Sequence, residues 1–177
     1  PIWEAVASKL SKINTVKLDT DKLSVSKEAK KRGSGYLNVA LFGVDSRDND
    51  LDKGTRSDTI MIASLNKKTM KVKIASIYRD TLSEQEDGTL NKINAAYSYG
   101  GPEGALSVLN KNLDMNIEHY VTVNFNSMID IVDSVGGIDI DVQEDEMPYI
   151  CGYVQEIMKV TGKLSPGVTE PGTQTLN

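Results

Sequence analysis

Apolar residues recur along this chain with two different periods, and the changes between them mark out its elements. Ile2, Ala5, Val6, Leu10 and Ile13 repeat at helical spacing, which predicts an amphipathic helix over residues 2–13. Residues 16–25 alternate weakly, as an edge strand would, and residues 26–35 read as a charged linker ending in glycine and serine. Runs rich in Val, Ile, Leu and Met at 37–44, 58–65 and 70–77 predict three strands, with a hairpin turn at 66–69. Past an acidic loop, Gly100-Gly101-Pro102 opens a helix whose apolar face carries Ala105, Val108, Leu109 and Leu113. A strand at 119–124 and a helix at 125–135, capped by Asn124 and ended by Gly136-Gly137, come next. A strand at 138–142 and a helix at 147–160 follow, and the tail from Thr161 reads as irregular. Alternating strands and helices predict an α/β fold, three-layer α-β-α, with a central mixed, largely antiparallel-containing sheet flanked by helices.

The hairpin has a consequence for chemistry. It makes the second and third strands antiparallel, so Arg56 and Asp58 at the start of one lie beside Arg79 and Asp80 at the end of the other. If the first strand runs opposite to the second, Asp45 and Arg47 emerge at the same edge, where α/β sheets place ligands. Arginine use points the same way. The chain has four arginines, and those at 47, 56 and 79 sit within two residues of an aspartate. Arginine is the planar, bidentate cation suited to phosphate and carboxylate.

Composition narrows the class. The chain of 177 residues fits one domain, and 39% apolar residues suffice for a core. A formal charge of −5 argues against a broad nucleic-acid face. The single cysteine, Cys151, excludes an intrachain disulfide and reads as a packed apolar residue. The single histidine, His119, has no Cys or His partner at metal spacing. No run approaches the ~20 apolar residues that span a bilayer. The chain starts at Pro1 rather than methionine, so an anchor or signal is expected to have preceded it.

Two carboxylates such as Asp45 and Asp58 held about 4 Å apart near a surface would repel by roughly 4 kcal/mol, so a positive group must accompany them. Neighbouring arginines satisfy that need, and so does a hard divalent cation such as Mg²⁺, which takes one or two carboxylates and completes its shell with water and phosphate oxygens. A structural Asp–Arg network and a metal–pyrophosphate site are both open to these residues. The four cations Arg47, Arg56, Arg79 and Lys92 suit the second. Neither a phosphate loop of the GxxxxGKS/T type, nor GxGxxG, nor a G-x-S-x-G elbow is present.

The motifs Gly43-Val44-Asp45-Ser46-Arg47, Arg56-Ser57-Asp58-Thr59, Ser76-Ile77-Tyr78-Arg79-Asp80-Thr81, Lys92-Ile93-Asn94-Ala95-Ala96-Tyr97 and Val132-Asp133-Ser134-Val135-Gly136-Gly137-Ile138 resemble, in order and spacing, the LytR–CpsA–Psr family. The resemblance covers residues 37–142. It implies a membrane-anchored enzyme on the outer face of a Gram-positive cytoplasmic membrane. Such enzymes move a glycopolymer (teichoic acid or capsule) from a polyprenyl-pyrophosphate carrier onto peptidoglycan. By that likeness Asp45 and Asp58 hold Mg²⁺, and Arg47, Arg56, Arg79, Lys92 and Asn94 bind the pyrophosphate. Asp45 and Arg79 then act in catalysis, Asp45 as base toward the acceptor hydroxyl. An apolar slot for the lipid is expected against the sheet, lined by Val108, Leu109, Met128, Ile129 and Val132, residues that ordinary core packing would equally explain.

The resemblance divides the chain into an N-terminal helix, edge strand and linker (1–35) and a catalytic domain (36–177). Tyr78 stands where the family has proline. The family pattern continues past Leu-Asn-Gly into an arginine-rich segment, whereas this chain stops at Leu176-Asn177, so an incomplete cation set is expected. A non-catalytic polyprenyl-phosphate binding module and a lipid pyrophosphatase are the competing readings. A transcription attenuator is disfavoured by the acidic charge.

Overall fold

The structure, a computed structural model, describes residues 16–46, 51, 54–162, 164–165 and 167–176. The helix expected over 2–13 and the expected ligand Arg47 lie outside the described residues. Four strands form the central sheet: β1 (Tyr36–Val44), β2 (Ser57–Asn66), β3 (Val72–Ile77) and β6 (His119–Val123), in the order β3-β2-β1-β6. β2 runs antiparallel to both β1 and β3, and β6 runs parallel to β1, so the sheet is mixed and largely antiparallel as expected. The helices are α1 (Lys27–Gly33), α2 (Ala95–Leu113), α3 (Phe125–Ser134) and α4 (Met147–Thr161). The result is the mixed α/β sheet flanked by helices predicted from the pattern.

Alternation along the strands divides the sheet into two unlike faces. Ala40, Phe42 and Val44 of β1 and Ile60 and Ile62 of β2 are buried, and α2 covers them with Tyr97, Ala105, Leu106, Val108 and Leu109. The Phe42 and Tyr97 rings meet edge-on with centroids 5.2 Å apart. The opposite face carries Leu37, Val39, Leu41, Met61, Ala63 and Leu65, all half-buried, and Ile74 and Val121, which are exposed.

Several local expectations are corrected. Residues 16–25 hold a 3-10 turn (Thr20–Lys22) instead of an edge strand, and Leu23 after it is fully buried in the core. The expected linker is helix α1, because the Ser26 side chain caps it by accepting from the Ala29 N–H at 2.9 Å. Its Lys30 and Arg32 pair with Glu118 and Asp114, so the basic run is tethered as well as solvated. α2 begins five residues before Gly100, and Gly101 at φ +62° kinks it ahead of Pro102, which cannot continue the hydrogen-bond ladder. Two short strands, β4 (Leu82–Glu84) and β5 (Leu90–Lys92), make a hairpin within the acidic loop. The tail is not wholly irregular either: β8 (Gly172–Leu176) pairs antiparallel with β7 (Ile138–Val142), which therefore lies outside the central sheet.

Candidate functional site

Three strand ends meet at one edge of the sheet, as the hairpin argument required. β1 delivers Asp45, β2 brings Arg56 and Asp58, and β3 leads into Arg79 and Asp80. The register between β1 and β2 slips there: Gly43 pairs with Thr59 but Val44 pairs with Ser57, so Asp58 is an extra residue. A bulge of this kind re-aims side chains. Ser57 and Ile60 both turn into the core, at 0% and 3% exposure, while Asp58 and Thr59 line a cavity of about 170 Å³ with Gly43, Asp45, Phe125 and Met128. Glycine is needed at position 43 because a Cβ there would lie 3.0 Å from the Thr59 Cβ.

The rim charges come in partnered pairs. Arg79 Nη1 donates to Asp58 Oδ1 at 2.5 Å, and Lys92 Nζ lies 2.7 Å from Asp80 Oδ1. Both pairs are about half exposed, so each adds little to stability and its partners remain free to exchange. The hydrogen bond from Lys92 holds the Asp80 carboxyl below its ordinary value. Desolvation opposes this, and the charges of Lys92, Arg79 and Arg56 reinforce it. Arg56 thus acts on this cluster electrostatically while forming no ion pair with the described residues.

The surplus of cations expected from sequence rested on counting Arg47 and omitting Asp80. Among the described residues Arg56, Arg79 and Lys92 balance Asp45, Asp58 and Asp80.

Asn94 is placed differently from expectation. It is 3% exposed, and its backbone N–H donates to the Arg79 carbonyl at 3.2 Å, beside the Ile93 N–H to Thr81 carbonyl bond at 2.8 Å. These bonds close the β4–β5 hairpin onto the turn that carries Arg79, so Asn94 positions the arginine through its backbone. Its Oδ1 and the Ser57 Oγ are buried without hydrogen bonds from the described residues. Tyr97 ties the loop after β1 to α2, its hydroxyl donating to the Leu51 carbonyl at 2.6 Å.

The expected lipid-lining residues separate. Val108 and Leu109 are 1% exposed under the α2 face and belong to the core, so they do not line a slot on the other face. Met128 stands at the cavity mouth, and Ile129 and Val132 are half-buried on α3. Sequence reasoning missed Thr59, Asn124 and Phe125 as lining groups. The signal was present in Asn124, which caps α3 by accepting from the Ser127 N–H at 2.9 Å and so fixes that helix start beside the carboxylates.

A sequence profile of the LytR_cpsA_psr family matches residues 2–177. The chain belongs to the LytR–CpsA–Psr family. A relative from Bacillus cereus (strain AH820), named polyisoprenyl-teichoic acid–peptidoglycan teichoic acid transferase TagU, is 36% identical over 141 residues, covering 78% of this chain and 45% of that protein. The chain therefore spans about half the length of the curated relatives it matches. The solved structure of the family member YwtF (TagT) with bound octaprenyl pyrophosphate lipid is 25% identical and superposes with a TM-score of 0.58 over 93% of this chain and 57% of its own. Bacillus subtilis TagV is 28% identical, with a TM-score of 0.57 over 80% of this chain and 52% of its own.

Proposed function

We propose that this family member acts as an extracytoplasmic phosphotransferase, moving a glycopolymer from a polyprenyl-pyrophosphate carrier onto peptidoglycan. The single observation that carries the reading is the junction at the rim. The cavity holding Asp45 and Asp58 opens onto the apolar sheet face, which continues from Gly43 to Leu37, a track of about 20 Å at the rise of a strand. A ligand with a phosphate head and a long apolar tail matches that junction. The names of the TagU relatives and the octaprenyl pyrophosphate in the TagT structure support the same substrate class. None of the described helices is long and apolar enough to cross a membrane, so attachment to the lipid-bearing surface is assigned to a segment outside them.

Mg²⁺ is part of the proposal. Asp45 and Asp58 are oxygen donors on one cavity, and Asp58 commits only Oδ1 to Arg79, so a cation that takes one or two carboxylates fits them. Such an ion would supply charge neutralisation, giving the balanced rim two net positive charges to meet a pyrophosphate. Arg79, Lys92 and Arg56 hold the phosphate oxygens, and Arg79 keeps spare N–H donors when paired with one carboxylate. The acceptor hydroxyl oxygen attacks the glycopolymer-bearing phosphorus, the bridging P–O bond breaks, and polyprenyl phosphate leaves with that electron pair. Asp45 takes the hydroxyl proton. Phosphoryl transfer asks chiefly for this positioning and neutralisation.

The test is binding of a polyprenyl pyrophosphate in detergent micelles, with and without Mg²⁺, by the 177-residue protein and by Asp58→Ala and Arg79→Ala. Mg²⁺-dependent binding that weakens in both variants is expected. Equal binding by all three proteins would make the Asp–Arg cluster structural and end the transferase reading.

A further inference from the structure

A second cavity among the described residues lies outside this rim. The β4–β5 hairpin and α2 enclose a groove of about 210 Å³, lined by Gln85, Glu86, Thr89, Tyr99, Gly100 and Gly104. Its floor is glycine: a Cβ at position 104 would come within 3.3 Å of the Ala96 carbonyl oxygen, and the Glu86 carboxylate lies over both glycines. Gln85 is 6% exposed and spends its Nε2 on the Ser83 carbonyl and hydroxyl. Its Oε1 accepts no hydrogen bond from the described residues, which leaves a buried residue of the groove with an unused acceptor. Tyr99 beside it is 67% exposed.

We propose that this groove is the acceptor subsite, taking one uncharged sugar ring of the glycan of peptidoglycan; this rests on the transferase reading above. The groove is smaller than the ~300 Å³ at which drug-sized pockets begin, which suits one ring of a chain that continues into solvent. Its polar groups suit hydroxyls: Gln85 Oε1 and the Glu86 carboxylate accept, the Thr89 hydroxyl lines the same wall, and the exposed Tyr99 ring offers a flat face for a pyranose to stack on.

Charge selects between the two substrates. Glu84 is neutralised by Lys111, whose Nζ lies 2.9 Å from its Oε1, whereas Glu86 has no ion-pair partner among the described residues. Asp87 accepts from the Thr89 hydroxyl and N–H, which hold its carboxyl below its ordinary value, so it too is charged at neutral pH. Two negative charges repel a donor built on phosphates and leave the groove to the phosphate-free partner. The position is also suitable. Ala96 at the near end is two residues past Asn94, and Thr89 is three strand residues, about 10 Å, from Lys92 at the rim.

Oligomers of N-acetylglucosamine, the uncharged sugar of that glycan, are titrated against the wild-type protein, Glu86→Ala, Tyr99→Ala and Arg79→Ala, with a parallel titration of polyprenyl pyrophosphate. Thermal unfolding checks that each variant is folded. Wild type and Arg79→Ala should bind the glycan alike, and the two groove variants should lose about tenfold in glycan affinity while keeping lipid affinity. No glycan binding by the wild type, or undiminished binding by both groove variants, overturns the proposal. Failure of the lipid titration alone strikes the transferase reading and leaves the groove assignment standing as a glycan site.

Discussion

Two cavities lie apart in the molecule, one at the rim of the central sheet beside α3 and one between the β4–β5 hairpin and α2, and their charges are arranged differently. At the rim, carboxylates and cations are equal in number among the described residues, and two of each are joined in exposed pairs, Arg79 with Asp58 and Lys92 with Asp80. Along α2, Glu86 lines a groove and has no ion-pair partner among the described residues, while Asp87 accepts from Thr89 in its own turn and feels the charge of Lys111. The rim can therefore exchange one partner for another, an incoming phosphate or metal replacing an ion pair at little net cost. The groove offers no such pair at Glu86, and its carboxylates disfavour an anion. α2 packs on the sheet that carries the rim and lines the groove itself.

The comparison breaks most completely if the shared support is removed. Leu106 is fully buried between α2 and the sheet, so Leu106→Ala should cost about 2–5 kcal/mol and lower lipid and glycan binding together. Chemical unfolding measures the first effect and paired titrations the second. If only one ligand were affected, the two sites would not share a scaffold. Arg79→Ala is narrower. Loss of charge-assisted hydrogen bonds worth about 1.5–3 kcal/mol should weaken lipid pyrophosphate binding by ten- to a hundredfold, roughly, and leave the fold nearly unchanged.

Ser57→Ala sharpens the account of the rim itself. The Oγ is buried without a partner among the described residues, so its removal should be neutral or raise stability by up to about 1 kcal/mol in denaturant titrations. A clear loss would mean that the hydroxyl is held by a group at the rim.

The smallest effect is a control away from both sites. Hydrogen bonds from Arg32 first and Ser26 second hold the Asp114 carboxyl below its ordinary value of 3.8. A depressed carboxylate contributes stability above its unfolded value and loses it as pH falls through the folded one. Asp114→Asn, which tolerates the left-handed backbone at φ +49°, should lower Tm slightly at pH 7. The difference should shrink as pH falls from 3.8 through the lower folded value, and neither titration should change.

Legibility followed the range of the interactions involved. The three strands could be read from apolar runs, and the antiparallel pairing of the second and third from one short turn that leaves them no other pairing, whereas the sense of the first entered only as a condition. That reading correctly predicted that Asp45, Arg56, Asp58, Arg79 and Asp80 converge. It failed for residues 16–35, where weak alternation and a basic run gave no periodic signal, although the Ser26 cap and the burial of Leu23 decide the structure. It failed again for Val108 and Leu109, since helical periodicity shows that a face is apolar without saying which sheet face it meets.

Local chemistry, then, was set by the chain itself: which residues carry charge, where strands begin and end, and which motifs share an edge. Tertiary structure decided the remainder. The bulge that turns Asp58 out of the core, the pairing of Lys92 with Asp80, the glycine floor under Glu86 and the return of the tail as β8 against β7 all join residues distant in sequence. Their geometry depends on register and packing, and a one-residue slip reverses the face a side chain occupies. No window of residues read alone contains that information.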